Sequence, residues 1–558
     1  MADRRTAPAG GGQRSILSLD IRTFLWYRFD HQIIFAAFPA ASLLLAENMA
    51  SHDIEIIKEI KGIFGGGLSR VTEADFTFMP CYVADKKQQI ISLSLSLSSF
   101  GLKKSKEISL IIKRLSNLQV LYLHDAHLPD CSFLKNLSQL QLLDLSNSFI
   151  EDEDYSSLKG LNQLTVLDLS NNYIKGIPFL NGLNCLTAID LSYNQIEDIS
   201  SLERLNQLTV LDLSYNYISK LSALQKLNKL REVNLAANKI NKIFAFRKFN
   251  SLRRLNLENN CINRLPAWIT ELSPDIVFSG GWEEDKINVY GNPLIHPPPE
   301  IIQIGREAIQ AYFRSFKKSK AVKLHEAKVL LVGEGMAGKT SLLKQLQGLD
   351  FDKKESQTHG INVLSLSNKE IPGLEQEEEC RLHFWDFGGQ EIMHASHRFF
   401  MSNRSLYILV LDSRTDSRKF HWLRHIEKYG GKSPLIVAMN KIDANPSYNI
   451  EQKSINASFP WIENRFFRIS CKNGEGLSEL VRSLAASIST TPLYGMEISK
   501  SWLAIRTELE QATEAKNYID QEQFIAICEK HGVEDKISRM TLLKLLNDLV
   551  LCQVLILG

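Results

Sequence analysis

Cysteine is scarce in this 558-residue chain: there are eight. They are scattered, with no CxxC pair and no metal-ligand spacing, which argues against a disulfide-stapled scaffold or a zinc module and fits free thiols in a reducing compartment, the cytoplasm. An excess of either charge is also missing, since 65 Lys and Arg stand against 63 Asp and Glu for a net charge of +2. A chain so balanced has no global electrostatic reason to bind nucleic acid or an acidic membrane. No long apolar run is present. The most apolar stretch, Ile33 to Ala46, is 14 residues long and contains Pro39, whereas a transmembrane helix takes roughly 20. Arg22, Arg28, Asp30 and His31 crowd its approach and argue against a signal peptide. Residues 1–89 therefore say little about function, although Ile54, Ile56, Ile57, Ile60 and Ile63 are spaced as one face of a helix. What is there is ordinary for globular protein: 44% hydrophobic and 23% charged residues. At about 150 residues per domain, the length suggests three or four domains.

From Leu93 to Leu294 the sequence repeats itself. The line Leu161, Leu164, Leu167, Leu169, Asn172, Ile174 recurs as Leu183, Leu186, Ile189, Leu191, Asn194, Ile196 and as Leu205, Leu208, Leu211, Leu213, Asn216, Ile218. Two further copies run through Asn238 and Asn260, and the period is 22 residues. This resembles the leucine-rich repeat. One strand and one return segment cannot bury their leucines alone, so copies stack into a solenoid, expected over residues 90–300. Each Asn sits where the strand turns away, and its amide can satisfy backbone groups of neighbouring turns. The Leu, Ile and Asn columns are thus structural. Between the inward leucines lies another column, Asp144, Asp168, Asp190 and Asp212, continued by Asn234 and Asn256. It is expected on exposed strand positions, hydrated or facing a cationic partner. A protein partner is expected on the concave face.

The array ends near Tyr290-Gly291-Asn292-Pro293-Leu294. His296 and the prolines 297–299 stop its propagation. Residues 301–325 read as a linker: a helix marked by Ile302, Ile309, Tyr312 and Phe316, then a solvated basic stretch with Lys317, Lys318, Lys320 and Lys323.

The chemistry begins after the apolar strand Lys328–Val332. Gly333-Glu334-Gly335-Met336-Ala337-Gly338-Lys339-Thr340 follows directly and leads into the helical run Ser341–Leu346. This is GxxxxGK[ST] in its strand–loop–helix context, in which glycines let backbone N–H groups approach phosphates and the helix start adds partial positive charge. Lys339 is expected to reach the β- and γ-phosphates, and the Thr340 hydroxyl to reach Mg²⁺. A second strand, Leu382 to Trp385, runs into Asp386-Phe387-Gly388-Gly389-Gln390-Glu391. Asp386 can hold Mg²⁺ through water, and Gly389 can offer its N–H to a γ-phosphate. Between these motifs, Thr358 lies on a loop from which it can complete the Mg²⁺ shell. A third strand, Leu435 to Met439, delivers Asn440-Lys441-Ile442-Asp443. A carboxylate at Asp443 suits guanine, whose N1–H and N2 amine lie side by side. Ser470-Cys471-Lys472 follows a further strand, and its backbone can meet guanine O6. In this order the motifs resemble a Ras-like GTPase, spanning residues 326–490.

Asp386-Phe387-Gly388 also spells the metal-binding triplet of protein kinases. No glycine-rich loop, VAIK-like strand or HRD-type loop precedes it, and kinase activity is not expected of this chain.

Repeats, a linker helix, a Ras-like domain and a further helical segment over residues 491–558 together resemble the Roco family, in which a Roc GTPase precedes a COR module. The implied fold is α/β and multidomain: a leucine-rich-repeat solenoid, a P-loop Ras-like domain and a partial, mainly helical COR-like segment. The resemblance implies binding of GTP and GDP with slow hydrolysis, and homodimerisation through COR. In the final segment, Trp502, Ile505 and Leu509 mark one helix. Asp520 with Gln523 makes a capping box before a second, and Leu542, Leu545, Leu546 and Leu549 mark a third. Val554–Gly558 is an apolar strand that needs a partner, so the COR-like part is read as truncated. Gln390 stands where a Ras-like glutamine orients the attacking water, while Arg398 and Arg404 are the basic residues just downstream. Two other classes stay open: a nucleotide-binding scaffold with negligible hydrolysis, and an ATP-dependent P-loop NTPase with repeats.

Overall fold

The computed structural model of the chain describes residues 52–64, 68–71, 80–85, 89–97, 102–126, 128, 131–150, 152–353, 360–388, 401–402, 404–414, 418–462, 465–491, 493–516, 518–548 and 555–557. The chain divides into two compact units, Met1–Pro293 and Leu294–Gly558.

The first unit opens with the expected amphipathic helix, α1 (His52–Phe64), followed by α2 (Leu102–Ile112). Its strands are β1 (Ser69–Arg70), β2 (Cys81–Ala84), β3 (Ile90–Ser96), β4 (Val120–His124), β5 (Leu142–Asp144), β6 (Val166–Asp168), β7 (Ala188–Asp190), β8 (Val210–Asp212), β9 (Glu232–Asn234), β10 (Arg254–Asn256), β11 (Asp275–Val277) and β12 (Lys286–Asn288). They form one sheet in the order β1 to β10, then β12 and β11. From β3 onward every pairing is parallel. The register places Leu167 beside Ile189 and Ile189 beside Leu211, so each leucine column is a ladder, and its members are 0–1% exposed. Short 3-10 turns such as Ser200–Arg204 and Ser222–Lys226 make the return.

The asparagines do what their spacing suggests. Asn194 Nδ2 donates to the carbonyls of Leu169 (3.0 Å), Leu191 (3.1 Å) and Ser192 (3.1 Å), and its Oδ1 accepts from Ile174 N at 3.0 Å. Asn172, Asn216, Asn238 and Asn260 repeat this set with their own neighbours. One buried amide per repeat thus joins adjacent turns and takes up carbonyls at the strand ends.

The aspartate column departs from expectation. Asp144, Asp168, Asp190 and Asp212 are 0–4% exposed. Each accepts from the backbone N–H of the serine two residues on, at 2.8–2.9 Å. Parallel register sets them side by side. Burial and the charges of Asp168 and Asp212 push the Asp190 carboxyl well above its ordinary range. Burial likewise lifts Asp212 to about 6, against hydrogen bonds from Ser214 and Asn234. They are an internal, serine-bonded ladder, not a hydrated column.

The second unit begins with α3 (Pro299–Ile304) and α4 (Arg306–Lys318), separated at Gly305. Part of the basic stretch read as solvated linker is instead strand β13 (Ala321–Lys323), because its backbone finds β20 (Glu497–Ser499) as an antiparallel partner. Next come β14 (Glu326–Val332), α5 (Lys339–Leu346), β15 (Ile361–Ser367), β16 (Arg381–Phe387), β17 (Ser405–Asp412), α6 (Lys419–Gly430), β18 (Leu435–Asn440), α7 (Gln452–Ser458), β19 (Phe466–Arg468) and α8 (Leu477–Ile488). The sheet order is β15-β16-β14-β17-β18-β19, parallel except for β15 against β16. Alternate residues of the central strands feed opposite faces: Val329, Leu331 and Ile408 pack into one core, Leu330, Tyr407 and Leu409 into the other. A sheet covered on both faces reads as continuous apolar runs, as these strands do.

The C-terminal segment comprises α9 (Lys500–Lys516), β21 (Tyr518–Asp520), α10 (Gln521–Lys530), α11 (Lys536–Asp548) and β22 (Leu555–Leu557). Asp520 caps α10 by accepting from Gln523 N at 2.8 Å. The terminal strand, read as lacking a partner, pairs in parallel with β21. Within this unit Arg506 of α9 reaches β14, its guanidinium lying 2.9 and 3.1 Å from the two oxygens of Glu326.

Candidate nucleotide site

In an open parallel sheet, ligands gather outside the carboxyl ends of the strands. The loops leaving β14, β16, β17 and β18 all emerge there, and they carry the residues singled out by sequence. The loop after β14 is closely built. Gly333 has φ +141°, and a Cβ there would come within 2.2 Å of the Val410 carbonyl oxygen; Gly338, at φ +97°, would meet Asn440 Nδ2 at 2.2 Å. Neither position tolerates a side chain. Between them Gly335 and Met336 are exposed, Met336 at φ +62°, and Ala337 is buried. Helix α5 starts at Lys339, so Thr340 and Ser341 lie in its first turn.

Lys339 is buried and curls back over its own loop, donating to the carbonyls of Gly333 (3.0 Å) and Glu334 (2.9 Å). Burial lowers its pKa, with Asp386 and Glu334 opposing. Thr340 Oγ1 donates to Asp386 Oδ2 at 2.5 Å. This hydroxyl and carboxylate from separate motifs present hard oxygen donors of the kind a small divalent cation selects.

The third motif locks onto the first. Asn440, 1% exposed, donates from Nδ2 to the Ala337 carbonyl at 2.9 Å and accepts at Oδ1 from Cys471 N at 3.1 Å. Lys441 Nζ donates to the Met336 carbonyl at 2.6 Å and to Asp412 at 2.8 Å. Asp443 accepts from Ser470 Oγ at 2.7 Å and pairs with Lys472 Nζ at 3.8 Å. Burial raises the Cys471 thiol to about 12, so it is neutral and unreactive. The structure therefore brings together Gly333, Gly335, Ala337, Gly338, Lys339, Thr340, Ser341, Asp386, Asn440, Lys441, Asp443, Ser470, Cys471 and Lys472. Thr358, Gly389, Gln390 and Arg398 lie outside the described residues.

Two participants were not singled out in the sequence. Asp412 ends β17 and holds Lys441; burial works to raise its pKa, but hydrogen bonds from Arg414 and Lys441 outweigh this and hold it at about 2. Its place at the end of an apolar run, Leu406–Leu411, was the available signal. Glu334 accepts from the indole of the buried Trp422 in α6 at 3.1 Å, a pairing across 88 residues without a local sequence signature. Arg404 is removed as a candidate for the phosphates. It precedes β17, at the end of the sheet opposite the loops and about 25 Å away along the strand, and its Nε donates to Glu300 at 2.7 Å.

Solenoid and P-loop domain define the class: a leucine-rich-repeat protein with a Ras-type G domain. The family model described as "Ras of Complex, Roc, domain of DAPkinase" matches residues 328–443, and leucine-rich-repeat models match 138–196 and 206–248. A Roc-COR-CHAT protease of Runella zeae is 29% identical over 255 residues, 41% of this chain and 27% of that protein. The Ras-related protein Rab-21 of Geodia cydonium is 30% identical over 172 residues, 29% of this chain and 71% of its own. The solved RocCORdC structure of Methanosarcina barkeri Roco2 bound to GDP is 46% identical, covering 42% of this chain and 69% of that one at a TM-score of 0.38. The chain belongs to the Roco family and carries a Roc domain, a GTP-binding module of Ras type. Its match spans about a quarter of the Runella relative's length. No described helix is long and apolar enough to cross a membrane.

Proposed function

We propose that this chain is an intracellular GTP-dependent signalling switch that binds Mg²⁺·GTP, hydrolyses it slowly to GDP and phosphate, and uses its repeats to hold a protein partner. The observation that carries this reading is the junction of the base motif with the phosphate loop: Asn440 and Lys441 bond the carbonyls of Ala337 and Met336. In this reading the backbone N–H groups of 333–340 and the start of α5 cradle the phosphates, and Lys339 leaves its loop carbonyls for the β- and γ-phosphates. Asp443 accepts from the guanine N1–H and N2 amine, while the Ser470–Lys472 backbone meets O6. Thr340 and Asp386, with Thr358, would hold Mg²⁺, which would neutralise phosphate charge when bound. Gln390 orients the attacking water. Arg404 is committed to Glu300 and adds no positive charge at the transition state, which fits slow turnover. Binding orders the segments containing Thr358 and Gly389, and hydrolysis releases them. The reading places the protein in the cytoplasm, assigns it no kinase chemistry, and assigns pairing of two copies to the COR-like segment.

The test is to identify the nucleotide carried by the purified chain and time phosphate release from GTP and from ATP with Mg²⁺, for wild type and Lys339→Ala. GTP binding with multiple-turnover release lost in the variant is the expected result. GTP binding without release would replace the switch by a scaffold, and preference for ATP would overturn the guanine assignment.

A further inference from the structure

The solenoid is electrically lopsided in a way the near-neutral chain conceals. Residues 140–219 hold eleven acidic residues, four of them the buried ladder, and three basic ones, whereas residues 220–264 hold eleven basic and two acidic ones. The asymmetry reaches the surface along one edge, where each strand turns away from the sheet. Glu197 and Asp198 are exposed there in one repeat, Lys220 in the next, and Lys239 and Lys242 in the one after. Asp198, Lys220 and Lys242 are 22 residues apart, so they fall on consecutive rungs about 5 Å apart.

The same edge carries an exposed aromatic spine. Phe149, Tyr173, Tyr193, Tyr215 and Tyr217 are each 41–49% exposed, a concentration of large apolar side chains in water that is unusual on a soluble surface. Tyr193 and Tyr215 stack with ring centroids 4.2 Å apart and an interplanar angle of 9°, and Lys239 Nζ lies 4.6 Å from the Tyr217 ring centroid. Their backbones sharpen the point. Tyr193 and Tyr215 adopt φ +54° and +55° in a column that other repeats fill with Asn147, Asn171, Ala237 and Asn259. The left-handed region suits Asn and disfavours a bulky aromatic residue, so tyrosine is held here at a backbone cost that the stacking of the two rings offsets.

We infer that this edge is a self-complementary docking surface, on which a second copy of the chain seats antiparallel with the two-fold axis at the Tyr193–Tyr215 pair. Charge complementarity selects that occupant. An antiparallel partner brings Glu197 and Asp198 of each copy over Lys220 of the other, and one contact made twice closes the symmetry. Tyrosines at the centre supply the rigid, amphipathic contact typical of interface hot spots. The edge lies wholly within the repeats, so this pairing is independent of the nucleotide reading and of any pairing through the C-terminal segment.

The experiment is sedimentation of the full chain at low and high salt, with two charge variants. One carries Lys220→Glu, the other Glu197→Lys and Asp198→Lys; all three positions are exposed. Wild type should self-associate, with association weakening as salt rises. Each variant alone should associate at least about tenfold more weakly, and an equimolar mixture of the two should recover a one-to-one pair. Tyr193→Asn with Tyr215→Asn, which suits the backbone better, should weaken association by about tenfold or more without lowering the thermal midpoint. The proposal fails if wild type and both charge variants self-associate alike, or if the mixture does not pair. It also fails if wild type stays monomeric at low salt, which would leave the edge to a foreign partner.

Discussion

Asn440 Nδ2 donates to the carbonyl oxygen of Ala337 at 2.9 Å, and the Cβ that Gly338 lacks would lie 2.2 Å from that same nitrogen. One side chain thus joins the end of β18 to the loop after β14, across 103 residues of sequence. Asn440 is 1% exposed and also accepts from the N–H groups of Lys441 and Cys471. Asn440→Ala strands these groups, at a cost of about 2–4 kcal/mol. The expected outcome is a loss of GTP affinity of tenfold or more by titration calorimetry. Unchanged affinity would mean that the junction does not shape the nucleotide site.

Asp443 is placed to read the base through a carboxylate that Ser470 Oγ orients at 2.7 Å. Asp443→Asn exchanges an acceptor for a donor, which opposes guanine N1–H and suits a base carrying a carbonyl at position 2. The variant should lose GTP affinity by about a hundredfold, some 2.7 kcal/mol, and gain affinity for xanthosine triphosphate. Competition binding measures both, and retained GTP preference would remove Asp443 from base recognition.

The buried aspartate ladder makes a pH prediction. Asp212 is lifted from 3.8 to about 6, and Asp190 is raised well above 3.8, chiefly by burial and next by neighbouring carboxylates. Carboxyls whose folded pKa lies above the unfolded one stabilise below the unfolded value, and that contribution is lost as pH rises from about 4 through 6. Asp190→Asn removes the repulsion from Asp168 and Asp212 while keeping an acceptor for the Ser192 N–H. Asparagine already occupies this column at Asn234, which donates to Asp212 at 2.9 Å. The variant should unfold a few degrees higher than wild type at pH 7.5 and nearly with it at pH 4.5, as read by thermal melts. A lower midpoint at pH 7.5 would show that the ladder is not under charge strain.

Glu326, paired with Arg506, titrates in the opposite sense. Burial works to raise the Glu326 carboxyl, but hydrogen bonds and charge from His383 and Arg506 outweigh it and hold it at about 2, below the ordinary 4.5. Its contribution is therefore complete above about pH 5 and lost as pH falls toward 2. Arg506 is 3% exposed, so Arg506→Met leaves a buried carboxylate and should cost about 3–5 kcal/mol in denaturant unfolding of the second unit. Adding Glu326→Gln should recover most of it. No recovery would show that the guanidinium acts through Glu510, to which it also donates at 2.7 Å.

The parts legible in the sequence are those whose partners are close in sequence or fixed by a period. Asn194 could be assigned a backbone-bonding role because the 22-residue repeat puts its partners, Leu169 and Ile174, at constant offsets. The phosphate loop was legible for a related reason: its glycines, lysine and helix start lie in one run, and backbone geometry ties them together. Reading failed where a partner lay elsewhere. Alternation along a strand shows which way Asp190 points but not whether that side stays wet. Nothing near Arg404 announces Glu300, and nothing near Lys323 announces that β20 will take up its strand.

Local periodicity and motif spacing therefore determined the solenoid, the P-loop domain and the identity of most candidate binding residues, because hydrophobic repetition and backbone conformation act over a few residues at a time. Tertiary structure alone decided the environment of each charge. Desolvation and ion pairing depend on what closes over a side chain from distant segments, and those set Asp212 near 6 and Asp412 near 2 from the same carboxylate chemistry.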